Sequence, residues 1–508
     1  MEKKGSKVVK GKKEMVVKKV DEEDSGSLDY VKVGLKAGVE IHQQLDTGKL
    51  FCHCPGYLRK DEPEFTIKRK LHKVAGETGE IDTAVAYEAT LDKEFIYEGY
   101  HDNTCLVELD ECPPYEINDS ALDETLKVAL LLNCEIYPIT QVMRKTVIDG
   151  SNTTGFQRTV LIAHDGRLET SFGEVRIDTV CLEEEAARII LKDAKKAVYR
   201  LDRLGIPLVE IATAPDMATP EQVKEVALKI GEIVRACRVK RGIGTIRQDV
   251  NVSIKGHDRV EIKGFQDPAI MIKTVELEAK RQQEELKKGK KEGEVRNAMP
   301  DGKTEFLRPM PGKARMYPET DLPLLKIGRE KTNEIRKILP KMRHELRDEL
   351  KKKGLSDELI NLVLDGNLEE FETLIRVYEK DANLIAKMVV LWRNEFATKL
   401  KKSVEELKKI LSEKVLERVL EELRDGNVTE GDVKKILESV ASGEPIEKAL
   451  KVERVSDDHM EEEISKLIKE KPGMRENAYM GMVMAKFKGK LDARKAMELI
   501  KRVIEKSG

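Results

Sequence analysis

The pattern of apolar residues changes once along this chain, close to Gly328. From residue 31 to about 325, short apolar or alternating runs are separated by glycine and proline, which is typical of strands joined by turns. Beyond Gly328 and as far as residue 443, amphipathic helical patterns follow one another almost without interruption. A block of strands followed by a block of helices predicts an α+β fold, with a large antiparallel sheet first and helices second.

The chain of 508 residues is long enough for three or four domains of about 100 to 200 residues each. We place the sheet domain at residues 31–327, a helical domain at 328–445 and a small helical tail domain at 446–508. Residues 1–30 are rich first in lysine and then in acidic side chains, with few aromatics. Such a segment cannot bury enough apolar surface to fold, so we expect a disordered charged tail there.

The composition excludes a strong overall field, because 92 basic residues face 94 acidic ones. Any contact with RNA must therefore come from local patches. Seven cysteines, an odd number in a long chain, favour a reducing compartment over a disulfide framework. No apolar run approaches the roughly 20 residues of a membrane span. We expect a cytoplasmic protein without membrane contact.

The stretch GVEIHQQLDTGKLFCHCP contains the first candidate site. Its apolar residues alternate loosely with polar ones, which predicts a half-buried strand with Glu40 and His42 on the same face. A carboxylate and an imidazole two residues apart can share a divalent cation, or one can fix the tautomer of the other. A solvated glutamate and a hydrogen-bonded histidine are the alternative, and the segment alone favours that alternative.

Further charged residues fall in strand patterns. Glu184 is the middle of three consecutive glutamates, whose mutual repulsion calls for a cation or an arginine. Glu210 lies inside the apolar run PLVEIA, where a carboxylate must be paired, protonated or metal-bound. Arg247, Asp249 and Asn251 share one face of an alternating strand. An ion-pair lattice in a charge-rich protein explains any one of these clusters equally well.

These residue types suit a nucleoside triphosphate. Magnesium binds through one or two carboxylates plus phosphates, and arginine or lysine holds the transferring phosphoryl group. The chain contains neither GxxxxGK[ST] nor GxGxxG, which argues against a Walker or a Rossmann site.

The cysteines offer a second, separate metal site. Cys52 and Cys54 together with Cys105 and Cys112 could supply four thiolates to a structural zinc ion. The second spacing is wider than the usual zinc knuckle, so two pairs of free thiols are the alternative.

A cluster of basic residues lies near the end of the chain, around a turn that contains glycine. It can meet phosphates, although such a cluster is more often a solvated face. The residues that could meet phosphates are Lys486, Lys488, Lys490 and Arg494.

Several unlinked motifs carry a resemblance to a known family. They are GVEIHQQLDTGKLFCHCP, MRKTVIDGSNTTGFQRT, CLEEEAARI, YRLDRLGIPLVEIATAPD, KRGIGTIRQDVNVSI, VEIKG and ARMYPETDLP. In this order they closely resemble the GatE subunits of archaeal-type glutamyl-tRNA(Gln) amidotransferases and, more distantly, the bacterial GatB subunits. The terminal AYMGMVMAKFKGK is similar to the tail domain of the same family.

The resemblance implies that the sheet domain is a catalytic cradle. In this family ATP and magnesium serve to phosphorylate the side-chain carboxylate of glutamate on tRNA(Gln), and ammonia from an asparaginase-like partner subunit then displaces the phosphate. The family's magnesium residues fall on His42, Glu184 and Glu210, with Glu40 and Asp249 beside them as further catalytic residues. The residues implied to bind ATP or the glutamyl end are Arg203, Arg247, Ser151, Asn152, Gln157 and Arg158.

One departure from the family pattern concerns tRNA. GatE subunits carry an inserted domain similar to one in aspartyl-tRNA synthetases, and here only residues 264–311 lie in its place. That difference puts tRNA selection in question and leaves the cradle chemistry untouched. A tRNA-binding scaffold without catalysis is therefore the alternative function.

Overall fold

The computed structural model describes residues 28–72, 79, 81, 86, 89–90, 93–193, 195–265, 268–310, 316–451, 457–487 and 493–507. The chain forms two compact units, Met1–Pro340 and Lys341–Gly508. The predicted tail at 1–30 lies outside the described residues except for its last three. The first unit extends beyond the predicted boundary at 327 because a further helix belongs to it. The other domain boundaries remain predictions.

The strands are β1 (Lys36–Gln44), β2 (Phe65–Arg69), β3 (Glu94–Gly99), β4 (Glu135–Ile136), β5 (Ile139–Thr140), β6 (Val142–Thr146), β7 (Phe156–Thr170), β8 (Gly173–Glu184), β9 (Arg188–Lys192), β10 (Lys196–Arg200), β11 (Pro207–Thr213), β12 (Ile246–Ser253), β13 (Val260–Phe265), β14 (Glu294–Ala298), β15 (Thr304–Pro309), β16 (Met316–Pro318) and β17 (Leu325–Lys326). The helices of the first unit are Tyr30–Val33, Asp119–Leu131, Pro220–Ala236, Met271–Lys287 and Arg329–Lys337.

The first unit is built on one large sheet with the order β15-β14-β13-β12-β1-β11-β8-β7-β6-β16, to which β4 adds beside β7. Neighbouring strands run antiparallel except β13 and β14. A smaller sheet has the order β2-β3-β10-β9, and β5 pairs with β17. The predicted α+β fold, with a large, mainly antiparallel sheet before the helices, is confirmed.

Strand β1 lies near the middle of the large sheet, and its alternation separates core from site. Val39 and Ile41 are fully buried on one face. Glu40 and His42 point to the other face, since successive side chains of a strand alternate. His42 lies opposite Arg247 on β12 and opposite Glu210 on β11. Residues opposite one another share a face, so the register brings side chains from three strands together.

The helix Pro220–Ala236 packs against β1. Thr219 and Gln222 form a capping box at its start, and its apolar residues, which include Val223 and Ile230, are buried. A capping box satisfies two backbone N–H groups that would otherwise lack partners. The helix contributes to the apolar core and leaves the polar face of the sheet accessible to a ligand.

The smaller sheet fixes the loop that follows β6. The hydroxyl of Tyr97 donates to the carbonyl oxygen of Gly150 at 2.8 Å, and that of Tyr199 donates to the carbonyl oxygen of Asp149 at 2.7 Å. Both tyrosines are fully buried. These two hydrogen bonds therefore fix the loop 149–155, which leads into β7.

The second unit is helical. One apolar core includes Phe371, Ile385 and Leu420, and another includes Ile464 and Tyr479. No helix among the described residues is long and apolar enough to cross a membrane. Its helices are Arg343–Lys352, Asp357–Leu364, Leu368–Val377, Ala382–Ala386, Trp392–Leu400, Val404–Ile410, Glu413–Arg424, Glu430–Ala441, Ile446–Ala449, Asp457–Glu470, Glu476–Phe487 and Ala493–Ser507, with a π-helical turn at Lys387–Leu391.

Candidate active site

The centre of the polar face is His42, which lies between two carboxylates. Its Nε2 is 3.1 Å from Glu210 Oε2 and 3.2 Å from Glu40 Oε1. Burial alone would lower the pKa of His42, but the hydrogen bond and charge of Glu210, followed by the charge of Glu40, raise it to about 9. Burial and then the charge of Glu210 raise the pKa of Glu40 to about 7. The cluster therefore has a strong preference for additional positive charge.

Lys145 from β6 supplies part of that charge. Its Nζ lies 2.6 Å from Glu183 Oε1 and 3.5 Å from Glu210 Oε2. The hydroxyl of Thr159 also donates to Glu183 Oε1, at 2.7 Å. Although burial opposes it, the charge of Lys145 and the hydrogen bond with His42 hold the pKa of Glu210 well below its usual range.

Two sets of side chains on this face could hold a metal ion. In each set the donor atoms lie within 4.8 Å of one another, and both sets contain His42. One set adds Glu40 and Asp249, and the other adds Glu183 and Glu210. Carboxylate oxygens are the ligands that magnesium prefers, so the donor chemistry fits that ion.

Glu184 occupies a different place from the one predicted for a magnesium ligand. Its Oε1 accepts the backbone N–H of Arg158 at 2.9 Å and lies 3.5 Å from Arg158 Nη1. Burial raises the pKa of Glu184, and the charge of Arg158 acts against that shift. Because side chains alternate along β8, the structure puts Glu183 beside His42 and Glu210, and turns Glu184 to the opposite side.

The loop 149–155, which precedes β7, places Asn152 near Glu184. Asn152 and Arg158 line a cavity together with Glu184 and Glu108. Asn152 is only 2% exposed, and its Nδ2 has no hydrogen-bond partner among the described residues. The hydroxyl of Ser151 donates to Asp149 Oδ1 at 2.6 Å, so Ser151 shapes the loop.

Gln157 links the two sides of β8. Its amide donates to Glu183 Oε2 at 3.1 Å and to the carbonyl oxygen of Glu184 at 2.8 Å. This predicted ligand-binding residue therefore fixes the position of both glutamates.

Strand β12 contributes the other edge of the site. Arg247 Nη1 lies 2.8 Å from Glu185 Oε2, which also accepts the amide of Gln44 at 3.1 Å. Asp249 is paired with Lys263 Nζ at 2.7 Å. The predicted common face of Arg247 and Asp249 agrees with their register opposite His42 and Glu40.

Arg203 is directed at the backbone. Its Nε donates to the carbonyl oxygen of Ala186 and its Nη2 to that of Ala187, both at 2.8 Å. Burial lowers the pKa of Arg203, with the charge of Glu185 acting against it. In this geometry Arg203 braces the turn after β8, beside the predicted phosphate site.

The cysteine cluster combines three of the four predicted thiols with one carboxylate. Cys52, Cys54, Cys105 and Glu108 place donor atoms within 4.8 Å of one another. Cys112 is exposed and is not part of this set. Glu108 Oε1 accepts the thiol of Cys52 at 2.7 Å and lies 3.6 Å from the ammonium of Lys49.

Hydrogen bonds within the cluster favour one thiolate. Those from Cys52 and then Cys54 lower the pKa of Cys105 far below its usual value. The same interaction with Cys105 raises the pKa of Cys54 to about 12. The thiolate is the form that binds zinc, and Cys105 is the thiol of this cluster whose pKa is lowered.

The predicted basic cluster of the tail is described only in part. Lys486 falls in the helix Glu476–Phe487 and Arg494 in the helix Ala493–Ser507. Lys488 and Lys490 lie outside the described residues.

Sequence reasoning did not select Glu183, Lys145, Lys263, Glu108 or Glu319. All of these except Glu108 lie inside motifs that were recognised. The available signal was the alternation of β6 and β8, but the facing side of a strand depends on its register with the neighbours. Glu108 had no signal of its own, because the fold brings it to the cysteines.

A central sheet with carboxylates, one imidazole, lysines and arginines converging on one face defines a site that can bind a divalent cation and an anionic ligand. The family model described as the GatB/GatE catalytic domain matches residues 35–333. This chain belongs to the GatB/GatE family.

Amidotransferase subunits from archaea are among the relatives with similar sequences. The E subunit of the glutamyl-tRNA(Gln) amidotransferase from Methanocaldococcus jannaschii is 35% identical over 94% of this chain and 99% of its own length. The E subunit from Pyrobaculum neutrophilum is 34% identical over the same shares. That from Methanothermobacter thermautotrophicus is 37% identical over 71% of this chain and 80% of its own. The first alignment spans 636 positions, more than the 508 residues here, so that relative contains segments without a counterpart.

Proposed function

We propose that this chain converts Glu-tRNA(Gln) to Gln-tRNA(Gln) as the ATP-dependent subunit of an amidotransferase. The observation that carries the proposal is the convergence of Glu40, His42, Glu183, Glu210 and Asp249 on one face of the sheet, within the matched catalytic domain. The names of the relatives support the same reaction. An ion-pair lattice would pair its carboxylates one by one, whereas here two of them converge on one histidine.

The proposed reaction has two steps. A side-chain carboxylate oxygen of the tRNA-bound glutamate attacks the γ-phosphorus of ATP, and the bond to the ADP oxygen breaks. Ammonia then attacks the carbonyl carbon of the glutamyl phosphate, phosphate leaves, and nitrogen gives up a proton as the amide forms. An acyl phosphate must be kept from water, which a cradle of strands achieves better than a mobile loop does.

Magnesium, when bound, would neutralise charge on the transferring phosphoryl group. His42 with Glu183 and Glu210, or with Glu40 and Asp249, would hold it. This assignment replaces Glu184 by Glu183 in the predicted ligand set.

The basic groups around these carboxylates would meet the phosphates of ATP and the glutamyl end. Lys145 and Arg247 border the carboxylates, and Arg158 lines the cavity beside Glu184, on the opposite side of β8. Asn152 adds a buried Nδ2 that has no hydrogen-bond partner among the described residues. Ser151, Gln157 and Arg203 would act by holding the walls of the site.

We propose that an asparaginase-like subunit supplies the ammonia. The chain offers no recognisable amidase motif, and the relatives' names describe one subunit of an amidotransferase.

The test is ATP hydrolysis by the purified chain with magnesium and ammonium, with charged or uncharged tRNA(Gln), while Gln-tRNA is assayed. We expect turnover only with Glu-tRNA(Gln), together with formation of Gln-tRNA. Tight tRNA binding without any turnover, also in the presence of the partner subunit, would establish the scaffold function instead.

We also propose a structural zinc ion held by Cys52, Cys54, Cys105 and Glu108. Three sulfur ligands with one oxygen ligand suit a closed tetrahedral site. The set replaces the predicted Cys112 by Glu108.

For the tail domain we propose contact with tRNA phosphates through Lys486, Lys488, Lys490 and Arg494. Each phosphate contact releases counterions. Replacing the four residues by glutamine should weaken tRNA binding and flatten its dependence on salt. If the salt dependence of tRNA binding did not change, the basic cluster would be a solvated face without contact to tRNA.

A further inference from the structure

Glu319 is a fully buried carboxylate that the reaction above does not use. Its side chain is 0% exposed, and it lies directly after β16. The backbone N–H of Glu319 donates to the carbonyl oxygen of Val142 at 2.8 Å, which fixes its place beside β6. A buried carboxylate is stable only when charged or polar partners surround it.

Two arginines provide those partners. Arg158 Nε donates to Glu319 Oε2 at 2.9 Å, and the guanidinium of Arg144 pairs with Glu319 Oε1. The backbone N–H of Asp321 donates to Oε1 as well, at 3.1 Å. These hydrogen bonds, of which that from Arg144 acts most strongly against burial, lower the pKa of Glu319.

The arginines alternate with aromatic rings. The guanidinium of Arg144 lies 5.9 Å from the ring of Tyr317 and 4.7 Å from that of Phe156. The guanidinium of Arg158 lies 5.2 Å from Phe156 on one side and 5.7 Å from Phe51 on the other. A cation and the face of an aromatic ring attract each other electrostatically. The guanidinium groups of Arg144 and Arg158 are like charges that lie close together, and Glu319 is the anion that pairs with both.

Arg158 connects Glu319 to the cavity that Glu184 lines. Its contact with Glu319, at 2.9 Å, is shorter than that of its Nη1 with Glu184, at 3.5 Å. Glu319 is therefore the anchor of the guanidinium, while the terminal nitrogens reach the cavity that Glu184 and Asn152 line.

We propose that Glu319 is a positioning residue, which orients the guanidinium of Arg158 towards Glu184 and the cavity that Glu184 and Asn152 line, on the opposite side of β8 from His42. The inference rests on the proposed function, in which Arg158 meets the phosphoryl or glutamyl group. On this proposal Glu319 affects the reaction only through Arg158. A purely structural role of Glu319 would not depend on Arg158.

A double-mutant cycle with the full chain tests this dependence. Glu319→Gln keeps the shape of the side chain and removes its charge. We expect kcat for Glu-tRNA-dependent ATP hydrolysis to fall about 10- to 100-fold, the usual range for a residue that orients a ligand-binding group. KM for ATP should change less than about threefold, because only the orientation in the transition state is disturbed.

The combination with Arg158→Lys decides the mechanism. If Glu319 acts through Arg158, the double variant is no slower than Arg158→Lys alone. Effects that multiply would overturn the proposal, and so would an unchanged kcat in Glu319→Gln. Glu319→Asp, which keeps the charge, should recover part of the lost activity. Asp321→Asn is the matched control, because it removes only the exposed partner of Arg144, 3.3 Å away.

A crystal structure of Glu319→Gln separates this inference from the proposed function. If the wild-type chain shows no ATP turnover, the proposed function fails, and the position of Arg158 still decides the inference. We expect the guanidinium to leave Glu184 while β6 and β7 keep their backbone. An unmoved Arg158 would overturn the positioning role.

Discussion

Arg393 in the helical unit and His42 in the sheet unit are both buried, yet their partners differ. Arg393 is 2% exposed and meets both oxygens of Glu370 at 2.6 Å, with carbonyl oxygens of Val389 and Leu411 completing its contacts. His42 lies between two carboxylates, and further carboxylates surround it. The helical pair is matched in charge, whereas the sheet face has more carboxylates than lysines.

The difference separates a structural ion pair from a binding site. A buried pair with matched charge has no excess charge for a ligand to neutralise, even though Arg393 Nε has no hydrogen-bond partner among the described residues. On the sheet face, the charge of Glu210 raises the pKa of Glu40, so the binding of an added cation is favoured there. Excess charge that folding does not neutralise is therefore the better sign of function.

The largest effect is expected when the helical pair is broken. Glu370→Ala leaves the buried guanidinium of Arg393 without its anion, which should cost about 3–5 kcal/mol of unfolding free energy. Urea denaturation of the full chain measures it. The matched control is Glu395→Ala, which removes an exposed partner of Lys434 at 2.7 Å and should cost less than about 1 kcal/mol. Equal losses in the two variants would contradict the structural role of the buried pair.

Glu210→Gln on the sheet face should separate stability from activity. The variant loses the anion that pairs with His42 and Lys145, but it also loses the repulsion that raises the pKa of Glu40, so we expect that pKa to fall and the unfolding free energy to drop by less than in Glu370→Ala. Activity should drop about 10²- to 10³-fold, as when one group that stabilises the transition state is removed. Parallel urea denaturation and Gln-tRNA formation assays check both. A destabilised protein with normal turnover would show that this face is only an ion-pair lattice.

The cysteine cluster lies between these two cases, since Lys49 already pairs with Glu108 while three thiols remain as donors for a metal ion. Zinc at 100 times its dissociation constant should stabilise the chain by about 2.7 kcal/mol, seen as a higher melting temperature that a chelator reverses. Cys105→Ser should abolish the zinc-dependent shift. Cys112→Ser is the control and should keep it, since Cys112 is exposed and outside the donor set. If Cys112→Ser abolished the shift and Cys105→Ser kept it, Cys112 would be a zinc ligand, as the sequence predicted.

The smallest effect concerns an exposed pair at the edge of the large sheet. Arg176 Nη2 lies 2.7 Å from Asp216 Oδ1, and this hydrogen bond lowers the pKa of Asp216. Because Arg176 is largely exposed, Asp216→Asn should cost less than about 1 kcal/mol at pH 7.

The pH dependence of this pair has a definite sign. A carboxylate with a lowered pKa contributes its full stabilisation above its unfolded pKa of about 3.9, and the contribution is lost as the pH falls through the lower folded-state pKa. Urea denaturation of wild type and Asp216→Asn at pH 7, 5 and 3 should show the difference become smaller at the lowest pH. A difference that grows on acidification would contradict the assignment.

The order of strand-like and helix-like patterns predicted the α+β fold, and alternation along one strand predicted the common face of Arg247 and Asp249. It did not determine which of Glu183 and Glu184 faces His42. That choice depends on the register of β8 with β7 and β11, which includes a shift between Leu161 and Ala163. Nor could spacing bring Glu108 to the cysteines, since turns and long-range packing decide that contact.

The most direct test of the account is the binding of Mn²⁺, as a paramagnetic substitute for magnesium, in the presence of a non-hydrolysable ATP analogue. Wild type, Glu210→Gln and Glu370→Gln are compared by electron paramagnetic resonance. The account predicts that Mn²⁺ binds the wild type, that Glu210→Gln binds it at least about tenfold more weakly, the usual lower limit for losing a group around a metal, and that Glu370→Gln binds it like the wild type. Binding that is absent in the wild type, or unchanged in Glu210→Gln, would contradict the claim that the carboxylates of the sheet face form a metal-dependent active site.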